Sequence, residues 1–176
     1  MNETVFATGS YEATYNADEA VAAAVGKGLG PRRLGLVEEV FHWRRTVHGK
    51  EVMGDIGERM TLDAVYTGAD LLCRFTLKEW NPAVKALLVP WSEDLGVVGP
   101  VGERLARYAG ELVLTAGPGS LAETNGPHTI RFGKVTVAPG TAVDIPLGPL
   151  PRDIELTLQC FPYQDNSGTW RWFETT

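Results

Sequence analysis

Basic side chains are scarce in this chain: 16 Lys and Arg stand against 22 Asp and Glu, a formal net charge of −6. A protein that grips DNA or RNA needs a basic face to displace counterions from phosphates. Beyond Arg32-Arg33 and Arg44-Arg45 the cations are scattered singles. A dedicated nucleic-acid binder is disfavoured, whereas an acidic balance suits a protein past which nucleic acid must slide. Cysteine is as sparse. Cys73 and Cys160 lie far apart and fit no CxxC or Cys/His spacing, so they read as reduced, structural core thiols. Long apolar runs are missing too: the longest, Ala20 to Val25, is far short of the roughly 20 residues that span a bilayer. Met1-Asn2-Glu3-Thr4 offers neither a basic nor an apolar leader segment. The expectation is a soluble protein made in the cytoplasm.

Chemical motifs are equally thin. No HExxH, GxSxG or paired-carboxylate pattern occurs, and no enzyme is expected. Gly26-Lys27-Gly28-Leu29-Gly30 lacks the Ser or Thr that must follow the lysine of a phosphate loop, and reads as a mobile loop. His42 and His48 are six apart. On a strand that puts them on one face but roughly 20 Å from each other, too far for one zinc. Neither a metal nor a cofactor is expected.

What the chain does have is turn formers, 20 Gly and 11 Pro, within ordinary globular usage of 44% hydrophobic and 22% charged residues. Many short elements, hence a mainly β single domain over 1–176, follow from this. Tyr11, Ala13 and Tyr15 alternate with polar neighbours, a period of two. Met60, Leu62, Ala64 and Tyr66 alternate up to Thr67-Gly68-Ala69-Asp70, and Leu71, Cys73, Phe75 and Leu77 alternate after it. The pair reads as a β-hairpin with its turn at 67–70.

Asn81 as N-cap and Pro82 as first helical residue predict one short packed helix, about 81–89, docked through Val84, Leu87 and Leu88. Asp18 to Val25 is a weaker helix candidate, and 101–108 a helical turn or loop. Further strands are expected at 111–115, 129–137, 142–145, 154–161 and 169–173. In the second of these the apolar parity slips at Gly133, which predicts a bulge. Trp170 and Trp172 flank Arg171 on an apparent strand face. Such tryptophans serve as core, as subunit interface, or as a stacking platform for sugars or bases.

The order of these segments carries a resemblance. It runs from Thr8-Gly9-Ser10-Tyr11-Glu12-Ala13-Thr14-Tyr15-Asn16 through Leu34-Gly35-Leu36-Val37-Glu38 to the stretch from Gly68 to Asn81, with its Glu79-Trp80-Asn81 helix start. Arg131-Phe132-Gly133-Lys134-Val135, Phe161-Pro162-Tyr163-Gln164-Asp165 and Trp170-Arg171-Trp172-Phe173 complete it. Over nearly its whole length the chain resembles the tail tube (major tail) proteins of tailed bacteriophages and related virion structural proteins. Residues 17–33 look like an inserted mobile loop relative to that pattern.

The resemblance implies a β-sandwich or barrel-like subunit with long loops, in a phage tail made in the host cytoplasm. Six copies would form a ring, and rings would stack with each other and with neighbouring tail proteins. If each copy lends about four strands, a wall of roughly 24 strands at about 4.8 Å closes at about 37 Å across, wider with tilt. DNA would pass through without being bound. Glu38, Glu58, Asp63 and Asp70 are the candidate lumen-facing residues, and Lys27, Arg32, Arg33, Trp170 and Trp172 the candidate inter-subunit residues. A tail terminator or head–tail joining protein of the same fold, or a monomeric carbohydrate-binding β-sandwich, are the alternatives.

Overall fold

The computed structural model describes residues 4–5, 11–16, 32–53, 61–77, 80–92, 94–117, 127–145 and 153–176. Strands dominate: β1 (Thr4–Val5), β2 (Tyr11–Asn16), β3 (Arg32–Met53), β4 (Thr61–Leu77), β5 (Gly110–Ala116), β6 (Thr129–Val137), β7 (Ile154–Cys160), β8 (Tyr163–Gln164), β9 (Trp170–Arg171) and β10 (Phe173–Thr175). The single described α-helix is α1 (Pro82–Leu88), and Leu105–Arg107 forms a 3₁₀ turn.

Six of these strands close on themselves. β3 pairs with β2 and β4, β4 with β7, β7 with β6, β6 with β5, and β5 with β2, every pair antiparallel. The circuit is a small barrel, and closure leaves the strand segments inside it without a bare edge. β1 lies beside β3 at His42 and Trp43, and β10 beside β6 at Ile130 to Phe132.

Period-two alternation fills the interior. Tyr11, Ala13 and Tyr15 of β2 are buried, as are Leu71, Cys73, Phe75 and Leu77 of β4 and Leu112, Leu114 and Ala116 of β5. So are Ile154, Leu156, Leu158 and Cys160 of β7. Each Leu or Phe so placed contributes about 1.5–3 kcal/mol. Phe41 joins the layers: its ring lies 5.7 Å from those of both Phe75 and Phe132, and Phe132 lies 5.5 Å from Phe173. The two cysteines sit in this core on adjacent strands with Sγ atoms 3.2 Å apart. Burial, then the hydrogen bond with Cys160, pushes the Cys73 thiol well above its ordinary value.

α1 starts where the sequence places it. The Asn81 carboxamide oxygen accepts from the amides of Ala83 and Val84, at 2.9 and 3.1 Å, and Pro82 takes the first helical position. Asn81 Nδ2 also donates to the Leu34 carbonyl at 2.9 Å, tying the cap to β3. Val84 and Leu87 are fully buried in the barrel core. The helix touches β3 and β6, which stand opposite one another in the strand circuit, so α1 lies across one mouth of the barrel.

Four readings from the sequence change. Residues 67–70 are not a hairpin turn: β4 runs unbroken through them, with a bulge facing His48 and Gly49 of β3 and Gly68 at φ +153°. The parity slip between Tyr66 and Leu71 is the signature of that bulge. Ala142–Ile145 is not a strand; it follows the turn at Pro139 and Gly140 and pairs with no described strand. The run 169–173 splits at Trp172, β9 joining β8 and β10 joining β6. Arg32 and Arg33 are the first residues of β3 rather than part of a loop. The rest of 17–33, including the helix candidate at 18–25, lies outside the described residues.

The bulge expected at Gly133 is present, where Gly110 pairs with Val135 and Leu112 with Phe132. A Cβ there would come within 2.5 Å of the Tyr163 ring, so glycine is required by close approach. Asn81→Ala removes both the cap and the tie to Leu34, and is expected to lower stability by about 1–2 kcal/mol. Urea unfolding of wild type and variant checks this.

Candidate functional site

β3 and β4 outrun the barrel. β4 pairs with β7 only over Leu71 to Leu77, and β3 meets β1 only at His42 and Trp43. Beyond those points 46–53 and 61–70 pair with each other alone among the described strands, from Thr46 opposite Asp70 to Met53 opposite Thr61, with Arg44 and Arg45 at the root opposite Leu72 and Leu71. They form a two-stranded arm whose outer edges carry no strand among the described residues. Its described side chains are mostly exposed on both faces, with Val47 at 56%, Val65 at 56% and Tyr66 at 58% exposure. An edge of this length with exposed apolar side chains is a template for another strand.

Register decides which side chains share a face. Thr46 stands opposite Asp70, His48 opposite Gly68, Lys50 opposite Val65 and Val52 opposite Asp63. One face therefore carries Arg44, His48 and Lys50 together with Asp63 and Asp70, and His48 Nε2 lies 2.6 Å from the Asp70 carboxylate. The bulge at Gly68 is what brings Asp63 and Asp70, of opposite parity in sequence, to the same side. The other face carries Arg45, Val47, Glu51 and Tyr66. Along the strands the charges separate: 44–53 contains Arg44, Arg45, His48 and Lys50 against Glu51, while 61–70 contains Asp63 and Asp70 and no Lys or Arg.

Of the candidate lumen residues, Asp63 and Asp70 share one face of the arm, opposite Val52 and Thr46 and so far apart along it. Their face carries both signs, where an acidic and neutral one was expected. Glu38 pairs through its backbone with Thr76, and Glu58 lies outside the described residues. Among the inter-subunit candidates, Lys27 also lies outside them. Arg32 pairs in register with Tyr15, and Arg33 forms an ion pair with Glu12 at 2.6 Å within the same sheet. Trp172 is half-buried with the Arg45 guanidinium 5.2 Å from its ring centre, and so braces the root of the arm. Trp170 is 68% exposed.

The sequence reading missed Arg44, Lys50 and Tyr66 as surface-forming residues. The signal was there: 44–53 has charges at both parities, so neither face of that strand suits a core.

A second feature surrounds Trp170. β8 and β9 form a short ribbon, Tyr163 opposite Arg171 and Gln164 opposite Trp170. Asp165 organises its turn: its carboxylate accepts from the Ser167 hydroxyl at 2.6 Å, the Ser167 and Thr169 amides at 2.8 and 2.9 Å, and Arg171 Nε at 2.5 Å. The Ser167 hydroxyl, Arg171 and the Thr169 amide together hold this carboxyl well below its ordinary range. Tyr163 lies over Gly133 and donates to Glu174 at 3.0 Å. Between ribbon and barrel is a cavity of about 650 Å³ lined by Glu111, Arg131, Lys134, Tyr163, Asn166 and Trp170 among others. No group of three or more His, Cys, Asp or Glu poised for a metal occurs among the described residues.

No protein-family model matches the chain, and no curated protein matches it significantly.

Burial and the Glu174 hydrogen bond push Tyr163 up to about 12 from an ordinary value of 10. A raised folded value means the contribution of protonated Tyr163 is complete below pH 10 and is lost as pH rises through about 12. Ring-carbon NMR of Tyr163, assigned with Tyr163→Phe, is expected to show no ionisation at pH 10 to 11. Titration at the ordinary value would show that the Glu174 contact does not hold in solution.

Proposed function

We propose that this protein is a structural subunit that polymerises through its arm into closed rings, as in a bacteriophage tail tube, and that stacked rings make a conduit for DNA. The observation that carries the reading is the arm itself: two open strand edges, one rich in cations and the other bearing only carboxylates. The β3 edge of one copy is complementary to the β4 edge of the next. A head-to-tail contact of this kind repeats, and it closes into a ring when the rotation between copies closes. Each added strand satisfies the bare backbone groups of its neighbour. The likeness of the segment order to tail tube proteins supports the same reading.

Strand number sets the bore. With six copies, two strands each close at roughly 18 Å across before tilt, and four each at roughly 37 Å. The arm supplies two, so a bore that passes a duplex requires about two more strands per copy. The face that carries Asp63 and Asp70 also carries Arg44, His48 and Lys50. A wall of mixed sign offers no continuous cationic track on which phosphates would be held.

Sedimentation and negative-stain microscopy of the purified protein test the reading. Rings that stack into hollow tubes are expected. A discrete ring that never stacks would assign the terminator or joining role instead, and a monomer at every concentration would overturn the proposal. Charge reversal sharpens the test. Arg44→Glu with Lys50→Glu is expected to abolish assembly while shifting monomer stability by no more than about 0.5 kcal/mol, since both side chains are exposed. Adding Asp63→Lys and Asp70→Lys is expected to restore rings; failure of that rescue would contradict edge-to-edge pairing.

A further inference from the structure

We propose that the cavity between the β8–β9 ribbon and β6 is a binding site for a neutral saccharide, with Trp170 as its stacking platform. The claim is independent of ring assembly and rests on a different part of the chain.

Trp170 is 68% exposed on a ribbon of only two-residue strands, so its indole face is open to a ligand that stacks on it. That ribbon is nevertheless fixed. Four hydrogen bonds converge on the Asp165 carboxylate, and Gln164 Nε2 donates across the turn to the Gly168 carbonyl at 2.8 Å. On the barrel side, Tyr163 is seated against the bulge glycine Gly133 and tied to Glu174. The indole is thus held on a braced support beside a concave space of about 650 Å³. That volume falls within the usual range of roughly 300–1,000 Å³ for small-ligand sites.

The lining selects the chemistry. Each of its carboxylates already has a partner: Glu111 is bound by Arg131, Asp165 by Arg171 and Glu174 by the Tyr163 hydroxyl. Arg131 and Lys134 are the two cations of the lining against three carboxylates, and Arg171, outside the lining, neutralises Asp165, so no surplus of positive charge faces the space and the site favours a ligand without net charge. A phosphate-bearing ligand would need surplus cations that are not there. An apolar ligand would strand the polar groups around it. Asn166, Gln164 and the charge pairs present donors and acceptors side by side, which suits the vicinal hydroxyls of a sugar. A pyranose ring presents an apolar C–H face that suits the flat face of Trp170.

The test titrates the wild-type protein with four uncharged hexasaccharides, α- and β-linked glucose, β-linked N-acetylglucosamine and β-linked mannose. The Trp170 indole N–H is followed by NMR and assigned with Trp170→Phe. A saturable shift with at least one of them is expected. Trp170→Ala is expected to weaken binding about tenfold or more, the scale of a lost stacking contact, and to leave thermal unfolding unchanged because the side chain is exposed. No saturable shift with any of the four would overturn the proposal, as would equal affinity in Trp170→Ala. A concentration-dependent Trp170 shift without sugar, lost together with self-association in Trp170→Ala, would assign the surface to a second copy and overturn it too.

Discussion

Backbone groups on the arm need partners that the described parts of the chain do not supply. Inside the barrel every strand is flanked on both sides, and the interior takes the apolar side chains of all six. Past Arg45 and Leu71 the same two strands have one neighbour each among the described strands, and the side chains on both faces are mostly exposed. A β-ribbon held only by its internal ladder is marginal in water. This one is anchored at its root by the Arg45–Trp172 contact and by continuity with the barrel. Its bare edges are a liability for a monomer and an adhesive for a polymer, and that contrast organises the functional reading.

The barrel supplies what such an arm needs, a rigid base. Closure through six antiparallel pairs, the aromatic chain from Phe75 through Phe41 and Phe132 to Phe173, and α1 across one mouth make a unit with little freedom to shear. The bulges adapt that unit locally. At Gly68 a bulge turns the arm's alternation by one residue and so decides which charges share a face. At Gly133 another makes room for Tyr163, and through it for the ribbon that carries Trp170.

Local chemistry was legible in the sequence wherever it is local in space. Asn81 and Pro82 marked the helix start, the alternation of Tyr11, Ala13 and Tyr15 marked a barrel strand, and the parity slip at Gly133 marked a bulge. The same slip at Gly68 was misread as a turn. Glycine between two alternating runs fits both, and only the partner strand distinguishes them. The partner, β3, has charged residues at both parities over 44–53, which hides its strand character from any periodicity argument. The facing of Asp63 and Asp70 was illegible for the same reason: it depends on register against Lys50, His48 and Val52, set by contacts far apart in sequence. Trp170 and Trp172 looked like one face, yet two residues of separation across a strand break put one on the arm's root and the other beside an open cavity.

Amide hydrogen exchange across 44–53 and 61–70, compared between the monomer and the assembled protein, tests the central claim most directly. In the monomer, alternate amides on each arm strand point to solvent and exchange fast, while barrel amides in β5 and β7 are protected. The account predicts that assembly protects those outward amides on both strands and leaves the barrel unchanged. Assembled particles in which the arm's outward amides exchange as fast as in the monomer would contradict it.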